Sequence, residues 1–144
     1  MNVKNEFVID ANIIFSSLLS GKGLYRKIFE TNKFYTCDFV LQELQTYQAT
    51  ILEKTKLSKS ELQEFTIFIF SHIVVVPQFY ITQINKNNAF ELCKDIDEKD
   101  TVYVALSLEL DLTLLTRDKP LYNGLKNKGF EKILMFDRFI EQLK

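Results

Sequence analysis

The sequence predicts an α/β fold: a doubly wound central parallel sheet of about five short strands, with helices on both faces. Three observations carry that prediction. Short apolar runs, "FVID" (7–10), "FYT" (34–36), "IVVV" (73–76), "LTLLT" (112–116) and "KILMF" (132–136), recur along the chain, as buried strands do when both sheet faces are covered. Helical patterns separate them, and parallel strands need such crossovers. The length, 144 residues, suits one domain spanning 1–144, with no internal repeat, low-complexity segment or linker.

Each element has a local reason. "FVID" is an apolar run stopped by an acid. "IIFSSLLSGKG" follows as a helix closed by Gly21 and Gly23, then "LYRKIFETN" (24–32) as a second helix. After "FYT", Asp38 is expected to cap one continuous helix over 39–55, with apolar positions at 40, 41, 44, 47, 51 and 52. Ser58 or Ser60 opens the next helix, roughly 60–71. "IVVV" is β-branched and halted by Pro77. Helices are expected over 82–94 and 98–110, a short helix or turn over 120–129, and a terminal helix in "DRFIEQL".

Composition excludes several classes. The hydrophobic fraction of 47% and charged fraction of 26% are those of an ordinary globular protein. Cys37 and Cys93 lie far apart with no CxxC spacing, so both read as buried thiols of a reducing cytosol rather than a zinc site. The N-terminus lacks a signal-peptide layout, and no apolar window is long enough to span a membrane. The expected location is cytoplasmic. A net charge of −1 argues mildly against nucleic acid as a partner, unless a metal ion offsets some of the acids.

The acids gather at one edge. Asp10 ends the first strand, and Asp118 sits two residues past the fourth. In such sheets ligands bind beyond the carboxyl ends of the strands. Glu43, in the second turn of the helix after the second strand, reaches the same edge. Asp97 and Asp100 stand i,i+3 at a helix start, on one face. Each has a plain structural alternative: Asp10 and Asp118 as N-caps, Asp97 with Asp100 as a capping-box-like pair that suits the helix dipole, Glu43 as a surface acid. Together they would cost on the order of several kcal/mol in repulsion and desolvation without a cation. An all-oxygen cluster suits Mg²⁺ or Mn²⁺. Such an ion supports phosphodiester hydrolysis without a catalytic His, Ser or Cys. The single histidine, His72, precedes a strand and reads as structural.

With those residues in place, the chain resembles the PIN-domain family of metal-dependent ribonucleases, and in particular its VapC-type toxins. The matching pieces are "FVIDANIIFSSL", "VLQEL" around Glu43, "DEKDTVYVALSLELDLTLLTRDKPL" from Asp97 to Leu121, and "ILMFDRFI". They run in family order along almost the full length. The 38–71 stretch departs by its length and by a second helix, "ELQEFTIFIF". The resemblance implies a PIN-like doubly wound sandwich with an acidic pocket for one or two Mg²⁺ or Mn²⁺ ions. It makes Asp10, Glu43, Asp100 and Asp118 the principal carboxylates and Asp97 an additional acid. Asn12 and Thr116 match small polar positions that orient the acids or a water. It further implies an endoribonuclease acting by in-line hydrolysis, the toxin of a toxin–antitoxin pair, with an antitoxin protein partner and a homodimeric state. Asp10, Asp97, Asp100 and Asp118 would face the metal, and Glu43 would bind a second ion or serve as base. Arg117 and Lys119, with Arg26 and Lys27, are candidates for RNA phosphate contacts; a solvated basic face is the alternative.

Other classes fit less well. A receiver-like phosphoacceptor domain needs an acceptor Asp at the end of its third strand, where this chain has Val76-Pro77. A haloacid-dehalogenase-type phosphatase needs D-x-D, and this chain has Asp10-Ala11-Asn12. A PIN-like RNA-processing or RNA- and partner-binding module without a toxin role is the remaining alternative.

Overall fold

The computed structural model describes residues 5–143. Strands β1 (Glu6–Ile9), β2 (Lys33–Cys37), β3 (Ile73–Val76), β4 (Thr113–Thr116) and β5 (Ile133–Met135) form one sheet. Every pairing is parallel, in the order β3-β2-β1-β4-β5. The chain walks outward from β1 through β2 to β3, then crosses back to place β4 and β5 on the other side. The topology therefore switches between β1 and β4, which opens a crevice at their carboxyl ends. The register sets Ile9 opposite Leu115, so the residues that follow, Asp10 and Thr116, leave the sheet side by side.

Strand side chains alternate between the two faces. Ile9, Phe34, Ile73 and Leu115 join the core of one face, formed with α1 (Ala11–Ser20), α2 (Gly23–Thr31), α3 (Phe39–Thr46), α4 (Gln48–Lys54), α5 (Lys59–Ser71) and α9 (Phe136–Gln142). Val8, Cys37, Val76, Leu114 and Ile133 join the other, with α6 (Gln83–Cys93), α7 (Thr101–Leu110) and α8 (Lys119–Asn127). Burial on both faces explains why the strands read as apolar runs. Both cysteines are free and buried, and burial pushes each thiol up to about 12. Among the described residues no helix is long and apolar enough to cross a membrane.

Gly21 closes α1 as expected, in the left-handed region at φ 62°, whereas Gly23 is the first residue of α2 and not part of that stop. The conformation at Gly21 favours glycine, and a Cβ there would in addition have to displace the Leu57 side chain, 2.3 Å away. Ser58, not Ser60, caps α5 through a reciprocal box: Glu61 N–H donates to Ser58 Oγ at 3.2 Å, and Ser58 N–H donates to Glu61 Oε1 at 3.0 Å. Ser58→Ala should lower stability by about 1 kcal/mol, read as a shifted urea midpoint with an unchanged slope.

Three expectations near the site are corrected. The continuous helix over 39–55 is two helices, broken at Tyr47 (φ −97°, ψ 10°). The Tyr47 ring packs edge-on against Phe15 at 5.6 Å, and the turn lets Ile51 of α4 enter the core. Asp38 makes no cap bond to α3. Its Oδ1 instead accepts Gln78 N–H at 3.2 Å, joining the end of β2 to the 3₁₀ turn Gln78–Tyr80 that follows β3. The helix expected over 98–110 begins as a 3₁₀ turn, Glu98–Asp100, before α7.

Candidate active site

Two strands deliver two acids to the switch point. Asp10 follows β1 and caps α1, its Oδ1 accepting Ile13 N–H at 3.4 Å. Asp118 follows β4 and caps α8, its Oδ1 accepting Leu121 N–H at 3.0 Å. The Thr116 hydroxyl links them: it donates to Asp10 Oδ2 at 3.4 Å and accepts Asp118 N–H at 3.0 Å. Both capping roles are thus real, and they fix the two carboxylates rather than exhausting them.

Glu43 arrives from α3, its Oε1 accepting a hydrogen bond from the Tyr103 hydroxyl. Burial and the Glu43 carboxylate push the Tyr103 hydroxyl far up, so it stays a donor. Tyr103→Phe should cost about 1 kcal/mol of stability, read from the thermal midpoint, because Glu43 loses its one neutral partner. Asp97 caps the 3₁₀ turn and Asp100 ends it. Asp97 Oδ1 accepts Lys99 N–H at 3.0 Å. Asp100 Oδ2 is buried and has no hydrogen-bond partner among the described residues.

Glu43, Asp97, Asp100 and Asp118 wall a cleft of about 280 Å³, with Asn12 and Lys99 on its lining and Phe15, Leu44 and Tyr47 forming an apolar flank. One carboxylate oxygen from each of Asp97, Asp100 and Asp118 lies within 4.8 Å of the others. Asp10 is only 2% exposed, near enough for its charge to act on Asp100. Burial, reinforced by the charges of Asp10, Asp97, Asp118 and Glu43, pushes the Asp100 carboxyl up to about 8. Burial likewise raises Asp10 to about 7, against the lowering effect of Ile13 N–H and Thr116. Burial among like charges favours the protonated form of such groups, and a neighbouring positive charge favours the ionised one. An orphaned buried oxygen within an all-carboxylate set fits a hard divalent cation.

The PIN domain family model matches residues 8–136. The chain belongs to the PIN domain family. Among solved structures it is similar to a chain of VapBC2 from Rickettsia felis, crystallised bound to a DNA fragment from their promoter. The TM-score is 0.57 and the identity 16%, covering 90% of this chain and 96% of that one; at that identity the likeness is one of fold. No curated protein sequence matches this PIN domain.

The expected site residues divide into two groups. Asn12, Glu43, Asp97, Asp100 and Asp118 share the cleft, and Thr116 and Asp10 support it. The basic candidates are not on its lining. Arg26 pairs with Glu64 at 3.2 Å and stacks over Phe65 and Phe68. Lys27 borders a hollow beside Ile140 and Leu143. Arg117 lies over Phe136 and donates to the Tyr25 hydroxyl at 3.3 Å. Lys119 opens α8 next to Asp118. Lys99 and Tyr103 were not foreseen. Tyr103 stands i,i+3 from Asp100, so the spacing that paired Asp97 with Asp100 extends to it.

Proposed function

We propose that this PIN domain is a divalent-metal-dependent endoribonuclease that hydrolyses RNA phosphodiester bonds, and that it is the toxin of a toxin–antitoxin pair. The buried, unpartnered Asp100 Oδ2 among three further carboxylates carries the reading, since that arrangement is stable only with a cation or with protons in its place. Asp100 and Asp118 would hold Mg²⁺ or Mn²⁺, with Asp97 completing the group and Asp10 contributing. When bound, such an ion lowers the pKa of a water and screens the charge of an approaching phosphodiester.

The chain's own residues do the rest. Thr116 holds Asp10 and the backbone of Asp118 in fixed relation. Tyr103 occupies Glu43 Oε1, which leaves Oε2 to take a proton from the attacking water. Asn12, on the cleft lining, can orient that water. The fold shared with a chain of a VapBC2 complex supports an antitoxin protein as partner; a homodimeric state and a cytoplasmic location belong to the same proposal.

The test is incubation with structured and single-stranded RNA, with Mn²⁺ and with EDTA. Cleavage should require Mn²⁺ or Mg²⁺ and should stop in Asp10→Asn and Asp100→Asn. Cleavage that survives EDTA or both substitutions contradicts the mechanism. Expression that arrests growth, relieved by a small protein encoded beside the gene, would support the toxin role; harmless expression of an active enzyme would contradict it.

A further inference from the structure

Beside the acidic cleft lies a smaller pocket of about 160 Å³, which shares Glu43, Tyr47 and Lys99 with it and adds Phe39, Gln42 and Thr46. We infer that this second pocket is a nucleobase subsite, holding the base next to the scissile phosphate of single-stranded RNA, with Lys99 on the adjoining phosphate. The inference rests on the ribonuclease reading, because what fills this pocket must be continuous with what occupies the cleft.

The chemistry of the lining differs from that of the cleft. Phe39, Gln42 and Thr46 stand at i, i+3 and i+7 of α3, on one stripe of the helix. Phe39 is braced by the Tyr103 ring at 6.5 Å, and Tyr47 by Phe15 at 5.6 Å. Two aromatic rings held this way suit stacking against a planar heterocycle at little entropic cost. Gln42 is exposed and offers an amide donor and acceptor, the pair that reads a base edge. The Thr46 hydroxyl donates to Gln42 C=O at 3.0 Å, so toward a ligand it acts as an acceptor. A pocket of this size takes one ring system, not a sugar and phosphate as well.

Lys99 supplies what the acids cannot. A wall of four carboxylates repels a polyanion, and Lys99 is the cation on the lining of both pockets. Among the described residues its ammonium is ion-paired with none of those carboxylates. It therefore sits free at the junction, where a phosphate flanking the reacting one would pass.

The test has two arms. Fluorescence anisotropy in EDTA at pH 6 measures binding of four labelled single-stranded hexamers, one for each base. Wild type should bind the best at least about 5-fold tighter than the worst. Gln42→Ala should bring the four to within about 2-fold. Lys99→Gln should weaken all of them alike and reduce the salt slope by about one. In the second arm, with Mn²⁺, a random RNA pool is sequenced at its cut sites. Wild type should show a base preference at one position beside the cut, and Gln42→Ala should erase it. Equal binding of all four hexamers by wild type, no binding at all, or variants that match wild type would each overturn the subsite. Discrimination lost in Gln42→Ala without any Mn²⁺-dependent cleavage by wild type would uphold the subsite while removing the nuclease reading.

Discussion

Asp100→Asn should abolish RNA cleavage and, at the same time, raise the thermal midpoint of the metal-free protein at pH 8. Asp100 Oδ2 is buried without a partner, and the charges of Asp10, Asp97, Asp118 and Glu43 all act against its ionisation. The amide keeps the shape, removes one charge from that group and can donate to a neighbouring carboxylate. The gain in stability should be about 1–3 kcal/mol, seen as a midpoint several degrees higher. The loss of activity should be at least about 100-fold, since the neutral amide is a poor ligand for a hard cation. Asp95→Asn is the control: Asp95 is exposed and pairs with Lys128, so cleavage should be unchanged. A variant at Asp100 that is both less stable and fully active would mean that the carboxylate serves the fold.

The metal-free protein should lose stability as pH rises from about 5 to about 8, by on the order of a few kcal/mol. The sign follows from direction. Asp100 is raised from 3.8 to about 8, and Asp10 from 3.8 to about 7. Between the unfolded and folded values the folded state binds more protons than the unfolded chain. The stability these groups contribute is therefore complete below about pH 4 and disappears as pH climbs through 7 to 8. Mn²⁺ competes with those protons, so its stabilisation should be larger at pH 8 than at pH 5, about 2.7 kcal/mol at a hundredfold excess over Kd. Differential scanning calorimetry in EDTA and in Mn²⁺ at both pH values reads this directly. A flat or rising midpoint in EDTA, or equal Mn²⁺ effects at both pH values, would contradict it.

Much of the fold was legible because both sheet faces are buried: "FVID" and "IVVV" carry no polar face to confuse with a helix. Topology alone pointed Asp10, Asp118 and Glu43 to one edge, and the PIN resemblance added Asp100 to them. What escaped was decided by distant partners. Asp38 looks like a helix cap in sequence, yet it spends its oxygen on Gln78, forty positions away. The apolar spacing of 39–55 continues unbroken through Tyr47, yet the backbone turns there while the ring packs against Phe15, a long-range contact that the spacing does not show. Arg26 and Arg117 are basic residues in reach by sequence, but each is committed to aromatic rings elsewhere. Lys99 was hidden because a lysine between Glu98 and Asp100 reads as a solvated turn.

Crystals grown in EDTA and then soaked in Mn²⁺, with data collected at the manganese absorption edge, test the central claim most directly. An anomalous peak should appear in the cleft, bound by Asp100 and Asp118 with Asp97 beside them, and it should vanish in Asp100→Asn crystals. No peak there in a protein that cleaves RNA, or a peak that persists in Asp100→Asn, would contradict the assignment of this acidic cleft as the metal centre.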